Sequence, residues 1–437
     1  MPGKRIVLCT FGSLGDLHPI IALARELKGR GHLPVVATTP GYRQRVESMG
    51  VEFHPVRPDI DISDPAILRR ATDRHDGARY IACELVFPYL RKSYEDTVAI
   101  ARGADLIVTH PVTLAAYLLA RKSGMAWASV ALAPVSLLSL HDMCVFPGLP
   151  FAEQLATLGP KFQRVLLRLL ELLFERHWKP FRALEEELGL TRSRNPFLFG
   201  HSPQLALGLF SPLLAAPQPD WPPNAHATGF PLFDHGEGPA PELQRFLDSG
   251  EPPIVFTLGS AAVGAAGDFF EQSMEASHRL GRRAVLLVGN DPANQPKRNR
   301  GPSMLAVPYA PHSTIFPRAC VNVHQGGIGT TGEAMRAGRP MLVVPYSHDQ
   351  PDQAYRLRKL GIARSVPRHK YTAAVATREI AALLGDPIYA ERASEVGTKI
   401  RSETGLVTAC DLLEKLIERG RPLGSAAGLT KSDGNSA

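Results

Sequence analysis

Across 437 residues the chain is 44% hydrophobic and carries 49 basic against 42 acidic side chains, a formal charge of +7. That length gives two to three domains of ordinary size, each able to bury a core of its own. The basic excess is spread out rather than gathered into a run, which argues against nucleic acid as a partner but allows attraction to anionic nucleotides or lipid surfaces.

The start, Met1-Pro2-Gly3-Lys4-Arg5, leads into only a short apolar run before Gly12, unlike a signal peptide. No stretch approaches the roughly 20 apolar residues of a membrane span. Five dispersed cysteines (Cys9, Cys83, Cys144, Cys320, Cys410) lack C-x-x-C spacing and fit reduced thiols better than disulfides or zinc ligands. A cytoplasmic location is expected, with contact at the inner membrane face as an addition.

Residues 5–10 read as a strand, Gly12-Ser13-Leu14-Gly15-Asp16 as a turn, 19–30 as a helix closed by Gly31-His32, and 33–38 as the next strand. Charged residues mark 57–78 as loops, and 104–109 and 127–132 read as later strands. This order predicts a parallel sheet with covering helices. The leucine-rich stretch 160–188 has helical periodicity, and Pro180 is expected to divide it in two. Packing on the sheet is the expectation; the alternatives are a mobile lid over a greasy cleft or a face that touches lipid. Proline-rich 211–241 reads as a linker. A second α/β unit follows, with strands at 253–258, 284–288, 304–307, 321–324 and 341–345, and Gly259-Ser260 turning after the first. Residues 408–419 form a last amphipathic helix, and the small polar residues 424–437 read as a disordered tail.

The chemistry concentrates in residues 309–353. His324-Gln325-Gly326-Gly327-Ile328-Gly329-Thr330-Thr331 follows an apolar strand and opens a helix. Glycines let a backbone approach a ligand closely, and a helix N-terminus offers unpaired N–H groups to an anion. Such a turn suits a diphosphate, to which His324 adds a hydrogen bond or a charge. The loop Pro345-Tyr346-Ser347-His348-Asp349-Gln350 presents carboxylate and amide groups suited to sugar hydroxyls.

This stretch resembles the nucleotide-sugar region of family 1 glycosyltransferases, and the likeness extends over about residues 5–420. His324, Gly326, Gly327, Gly329 and Thr330 are similar to that family's H-x-G-G-x-G-T, and Asp349-Gln350 to its sugar-reading Asp-Gln pair. Asp220-Trp221-Pro222 and residues 228–234 look like the bacterial branch that holds rhamnolipid rhamnosyltransferases, near sterol and antibiotic glycosyltransferases. The resemblance implies an α/β GT-B fold, two Rossmann-like domains facing across a cleft. Its domains are an acceptor domain at 1–215, a linker at 216–241, a donor domain at 242–405, and a helix at 406–423 that crosses back.

Gly12-Ser13-Leu14-Gly15-Asp16 is similar to the family's G-S-x-G-D/H motif, which implies that Asp16 is the base and Gly15 lies by the donor; burial is expected to raise the Asp16 pKa. Locally, Asp16 also reads as the cap of a helix starting near His18-Pro19. Ser260 and the glycine turn are expected on the diphosphate, Tyr309 and His312 along the base and ribose, and Asp349 and Gln350 on the sugar. Tyr309 stands where the family often has Trp, and His312 where it has Gln. Glu333, a ribose candidate, is one place out of register. Each site also has a local alternative: a core histidine at His324, and a plain polar loop at Asp349-Gln350. His110, Phe87 and Phe146 are the acceptor candidates. Asp59-Ile60-Asp61 reads as a solvated loop, and neither a metal nor a cofactor is expected beyond the nucleotide sugar itself.

These residues predict an inverting glycosyltransferase, a monomer or weak dimer. It would use dTDP-rhamnose or UDP-glucose and a hydrophobic acceptor such as a lipid, terpenoid or polyphenol. The rival readings are a nucleotide-sugar epimerase of the same fold and a non-catalytic binding protein; an NAD enzyme is disfavoured because Gly12-x-x-Gly15 lacks the full dinucleotide fingerprint.

Overall fold

A computed structural model describes residues 3–61, 64–149, 151–232, 238–297 and 301–419. Phe233 and Asp234 of the branch motif, and the tail from 424, lie outside them.

Short aliphatic runs form two all-parallel sheets. In the first, β1 (Arg5–Cys9), β2 (Leu33–Thr38), β3 (Glu52–Pro55), β4 (Leu106–Thr109), β5 (Trp127–Ala131), β6 (Ala206–Gly208) and β7 (Ala225–Ala227) lie in the order β3-β2-β1-β4-β5-β6-β7. In the second, β8 (Ile254–Thr257), β9 (Ala284–Leu287), β10 (Met304–Val307), β11 (Val321–His324), β12 (Met341–Val343) and β13 (Ala363–Ser365) lie in the order β10-β9-β8-β11-β12-β13. Helices cover both faces, so the central strands are dry throughout: Ile6, Val7 and Leu8 in β1, and Ile254, Val255 and Phe256 in β8, are fully buried.

Each sheet winds outward from its first strand in both directions. β1 pairs with β2 on one side and β4 on the other, Ile6 standing level with both Pro34 and Leu106. β8 likewise lies between β9 and β11. The carboxyl ends of β1 and β4, and those of β8 and β11, therefore diverge into crevices where doubly wound sheets bind ligands.

Six helices matter for the site: α1 (Leu14–Gly29), α2 (Pro160–Glu175), α3 (Lys179–Glu187), α4 (Ile328–Ala337), α5 (Gln350–Lys359) and α6 (Gly405–Glu418). α6 crosses back to the first domain. Its Ala409, Cys410 and Leu413 join the core that holds Ile20 and Leu23 of α1, and Arg30 binds Asp411 at 2.6 Å and Glu414 at 2.7 Å. A Cβ at Gly405 would stand 2.6 Å from the Phe230 carbonyl oxygen, so glycine permits this crossing.

A second tie joins α5 to the loop after β5. Arg356, 6% exposed, binds Asp352 at 2.8 Å within its own helix and reaches Asp142 of the first domain. The Val145 N–H donates to Asp352 at 3.0 Å.

Four expectations change, the first being that the stretch 57–78, expected as loops, holds a helix at Pro65–Ala71 capped by Asp64. The first helix starts at Leu14, before Pro19, because Ser13 caps it and Asp16 completes a capping box. The stretch expected as linker from 216 contains β7, which adds to the edge of the first sheet through Leu207↔His226. The stretch 160–188 does divide, with a tight turn at Arg176–Trp178 before Pro180, but its halves behave differently. α3 packs through Phe181 and Leu184, whereas α2 buries only Gln163 and Leu167 and turns Leu169, Leu172 and Leu173 outward.

Candidate active site

The first crevice is built by the β1 turn. Gly12 has φ +134°, and a Cβ there would fall 2.3 Å from Asp16 Oδ2, so only glycine lets the Asp16 carboxylate fold back. Oδ2 accepts from the Ser13 N–H at 2.7 Å and the Ser13 hydroxyl at 3.1 Å. Oδ1 lies 3.4 Å from His110 Nε2. His110 ends β4, fixed by a reciprocal bond pair with Thr113, and its buried Nδ1 meets no partner among the described residues. Burial pushes the Asp16 carboxyl up, but His110 and the Ser13 bonds outweigh it and leave it below the ordinary range. The expected rise is therefore reversed: Asp16 is held as the anion. Capping and a second role are compatible, because both Ser13 bonds fall on Oδ2 and leave Oδ1 directed towards His110.

The second crevice holds the glycine turn. His324 closes β11 fully buried, and its Nδ1 accepts from the Gly326 N–H at 3.1 Å. The neutral ring then carries its proton on Nε2, a donor with no partner among the described residues. Burial, with His312 adding to it, drives the His324 pKa to about 3, so His324 offers a hydrogen bond rather than a charge. Gly326 has φ +89° and Gly327 caps α4, whose N-terminus carries Gly329 and the buried Thr330. Gln325, not singled out from sequence, lies between the two glycine turns: a Cβ on Gly259 or Gly327 would meet its Nε2 at 2.4 or 2.7 Å. Ser260 is exposed at the head of the short helix Gly259–Ala262.

The loop after β12 faces the first crevice. Asp349 stands at the N-cap position of α5 without a side-chain capping bond, and burial, with Asp16 and Asp352 adding to it, raises its carboxyl to about 7. His348 adopts φ +55°, bonds the Ala71 carbonyl of the first domain and feels the Asp16 charge. Gln350 uses its carbonyl oxygen to close the loop, accepting from the N–H groups of Tyr346 at 2.8 Å and Ser347 at 3.2 Å, which leaves its NH₂ as the group to offer a ligand.

The remaining candidates separate. Tyr309 is 62% exposed after β10, as a stacking platform requires, while His312 stacks on Phe316 at 4.4 Å with its pKa driven to about 4 by burial. Glu333 pairs with Arg336 at 2.7 Å. Phe146 packs with Leu138, Met143 and Leu167 beneath α2. Phe87 does not join them, since its ring is buried edge-on against Trp178 at 5.3 Å.

Two doubly wound sheets meeting at their switch points, a phosphate-type turn on one and a carboxylate on the other, define a GT-B transferase of nucleotide sugars. Residues 6–93 match the glycosyltransferase family 28 N-terminal domain, and 285–411 the erythromycin biosynthesis protein CIII-like C-terminal domain. The chain is 32% identical to the O-mycaminosyltylonolide 6-deoxyallosyltransferase of Streptomyces fradiae, over 95% of this chain and 98% of that protein. It is 25% identical to the sterol 3-beta-glucosyltransferase of Neosartorya fischeri, over 98% of this chain but only 30% of that longer protein. The crystal structure of the kitacinnamycin glycotransferase matches with a TM-score of 0.71 at 24% identity, covering 95% of this chain and 100% of the other. Glycosyltransferase VinC, solved in complex with dTDP, matches with a TM-score of 0.64 at 19% identity, over 95% and 100%. The chain belongs to the family 1 glycosyltransferases and is a hexosyltransferase enzyme that uses a nucleotide sugar.

Proposed function

We propose that this enzyme moves a deoxyhexose from a dTDP sugar, with UDP-glucose the second choice, to a hydroxyl of a hydrophobic acceptor, inverting the anomeric centre. The observation that carries this reading is the convergence of Asp16 and His110 from one sheet with His348 and Asp349 from the other. Asp16, already ionised, takes the acceptor proton as the oxygen attacks the anomeric carbon opposite the diphosphate. His110 keeps that carboxylate ionised and oriented. The His324 Nε2–H and the α4 N-terminus receive the charge growing on the departing diphosphate. Asp349 and the Gln350 NH₂ hold the sugar hydroxyls. The apolar group of Phe146, Leu138 and Met143 favours an acceptor with a greasy body, and the 6-deoxyallosyl and sterol relatives agree in kind.

A donor panel read by nucleotide release, run with lipid, terpenoid and polyphenol acceptors, tests this. Acceptor-dependent release of dTDP or UDP, lost in Asp16→Asn with nucleotide affinity intact, is the expected result. Conversion of the donor sugar without any acceptor would point to the epimerase instead.

A further inference from the structure

Twelve large hydrophobic side chains are exposed among the described residues, and eight of them fall between Phe151 and Phe174. Five of the eight lie on one helix face. Phe162, Val165, Leu169, Leu172 and Leu173 repeat at three- and four-residue intervals along α2 and form one stripe, with Leu172 72% and Leu173 68% exposed. A stripe of this kind on the outside of a folded domain marks a docking surface.

The charges beside the stripe select its partner. Lys161, Arg164 and Arg168 lie on the α2 flank and make no ion pair among the described residues, and Arg176 and Lys179 continue the basic rim past its end. The acids of the same helix are already neutralised: Glu171 binds Arg194 at 3.0 Å, and Glu175 binds Arg182 at 3.1 Å and Arg192 at 2.5 Å. Two copies meeting through this face would bring like charges together. A surface with apolar depth below an anionic layer satisfies both features at once.

We propose that α2 is a membrane-docking helix, lying in the plane of an anionic lipid surface with Leu169, Leu172 and Leu173 in the acyl boundary and Arg164 and Arg168 at headgroup level. The placement is independent of the donor and the acceptor. Leu167 on the inner side of α2 and the exposed Arg164 and Arg168 on its flank line a cavity of about 720 Å³, so the docked helix would place that cavity beside the lipid.

The test is co-sedimentation of the full-length protein with vesicles of phosphatidylcholine alone and of phosphatidylcholine with phosphatidylglycerol, at low and high salt. The expected result is binding to the anionic vesicles that weakens with salt. Changing Leu169, Leu172 and Leu173 together to Gln should lower it by about a thousandfold, each buried leucine being worth about tenfold. The triple variant should keep its turnover on a soluble acceptor. Arg164→Glu with Arg168→Glu should cost about fivefold or more per charge. Failure of the wild type to bind anionic vesicles overturns the proposal, as does binding that the leucine changes leave intact. A concentration-dependent dimer abolished by the same three changes would instead assign the stripe to a second copy.

Discussion

The buried donor of His324 is the sharpest test of the diphosphate site. Nδ1 is occupied by the Gly326 N–H at 3.1 Å, so the group left to donate is Nε2–H. A hydrogen bond to a charged partner is worth about 1.5–3 kcal/mol, which corresponds to about ten- to 150-fold in nucleotide-diphosphate affinity. His324→Asn retains an acceptor near Nδ1 and loses the distal donor, whereas His324→Gln extends an NH₂ to roughly where Nε2–H stands. Calorimetric titration with dTDP and UDP should show the full loss in Asn and most of the affinity kept in Gln. Burial holds the ring pKa at about 3, so the affinity ratio of wild type to Asn should stay flat between about pH 8 and pH 5, across the ordinary histidine range. A ratio that climbs on acidification through about pH 6.5 would show a charged imidazole and refute the neutral-donor argument.

Three further outcomes follow from the same geometry. His110→Ala removes the group that, against burial, pulls the Asp16 carboxyl down; the acid limb of the kcat/KM profile should move to higher pH, and an unmoved limb would separate His110 from the base. Burial raises the Asp349 carboxyl to about 7, so donor KM should improve as pH rises through that value in the wild type and lose this dependence in Asp349→Asn. Gly326→Ala places a Cβ 2.9 Å from Val343 Cγ1 at φ +89°, and thermal unfolding should report a loss of about 1–3 kcal/mol; a neutral substitution would show that the turn can relax.

The sheets were largely legible because parallel strands buried on both faces read as unbroken apolar runs, as in Ile6-Val7-Leu8 and Ile254-Val255-Phe256. β7 was hidden because it is a three-residue edge strand, Ala225-His226-Ala227, among prolines that signal a linker. The glycine turn was legible for a local reason: a strand, its glycines and a helix start are consecutive in the chain. The buried Asp352–Arg356 pair was not, since an i,i+4 acid and base read the same whether they face water or a neighbouring domain.

The sequence by itself determined two α/β units, a glycine turn between strand and helix at His324–Thr330, and Asp16 and Asp349-Gln350 as groups suited to a base and to sugar hydroxyls. Tertiary structure decided what those groups are. Adjacency of β1 and β4 sets His110 against Asp16 and lowers a carboxyl whose burial alone would raise it. Complete burial of His324 removes its charge and leaves one donor. For α2, periodicity shows an apolar stripe but not its direction; only the packing of Gln163 and Leu167 inward turns Leu169, Leu172 and Leu173 to the outside. Chemical type and local turns are written residue by residue, whereas pKa and exposure belong to neighbours that the fold brings from elsewhere in the chain.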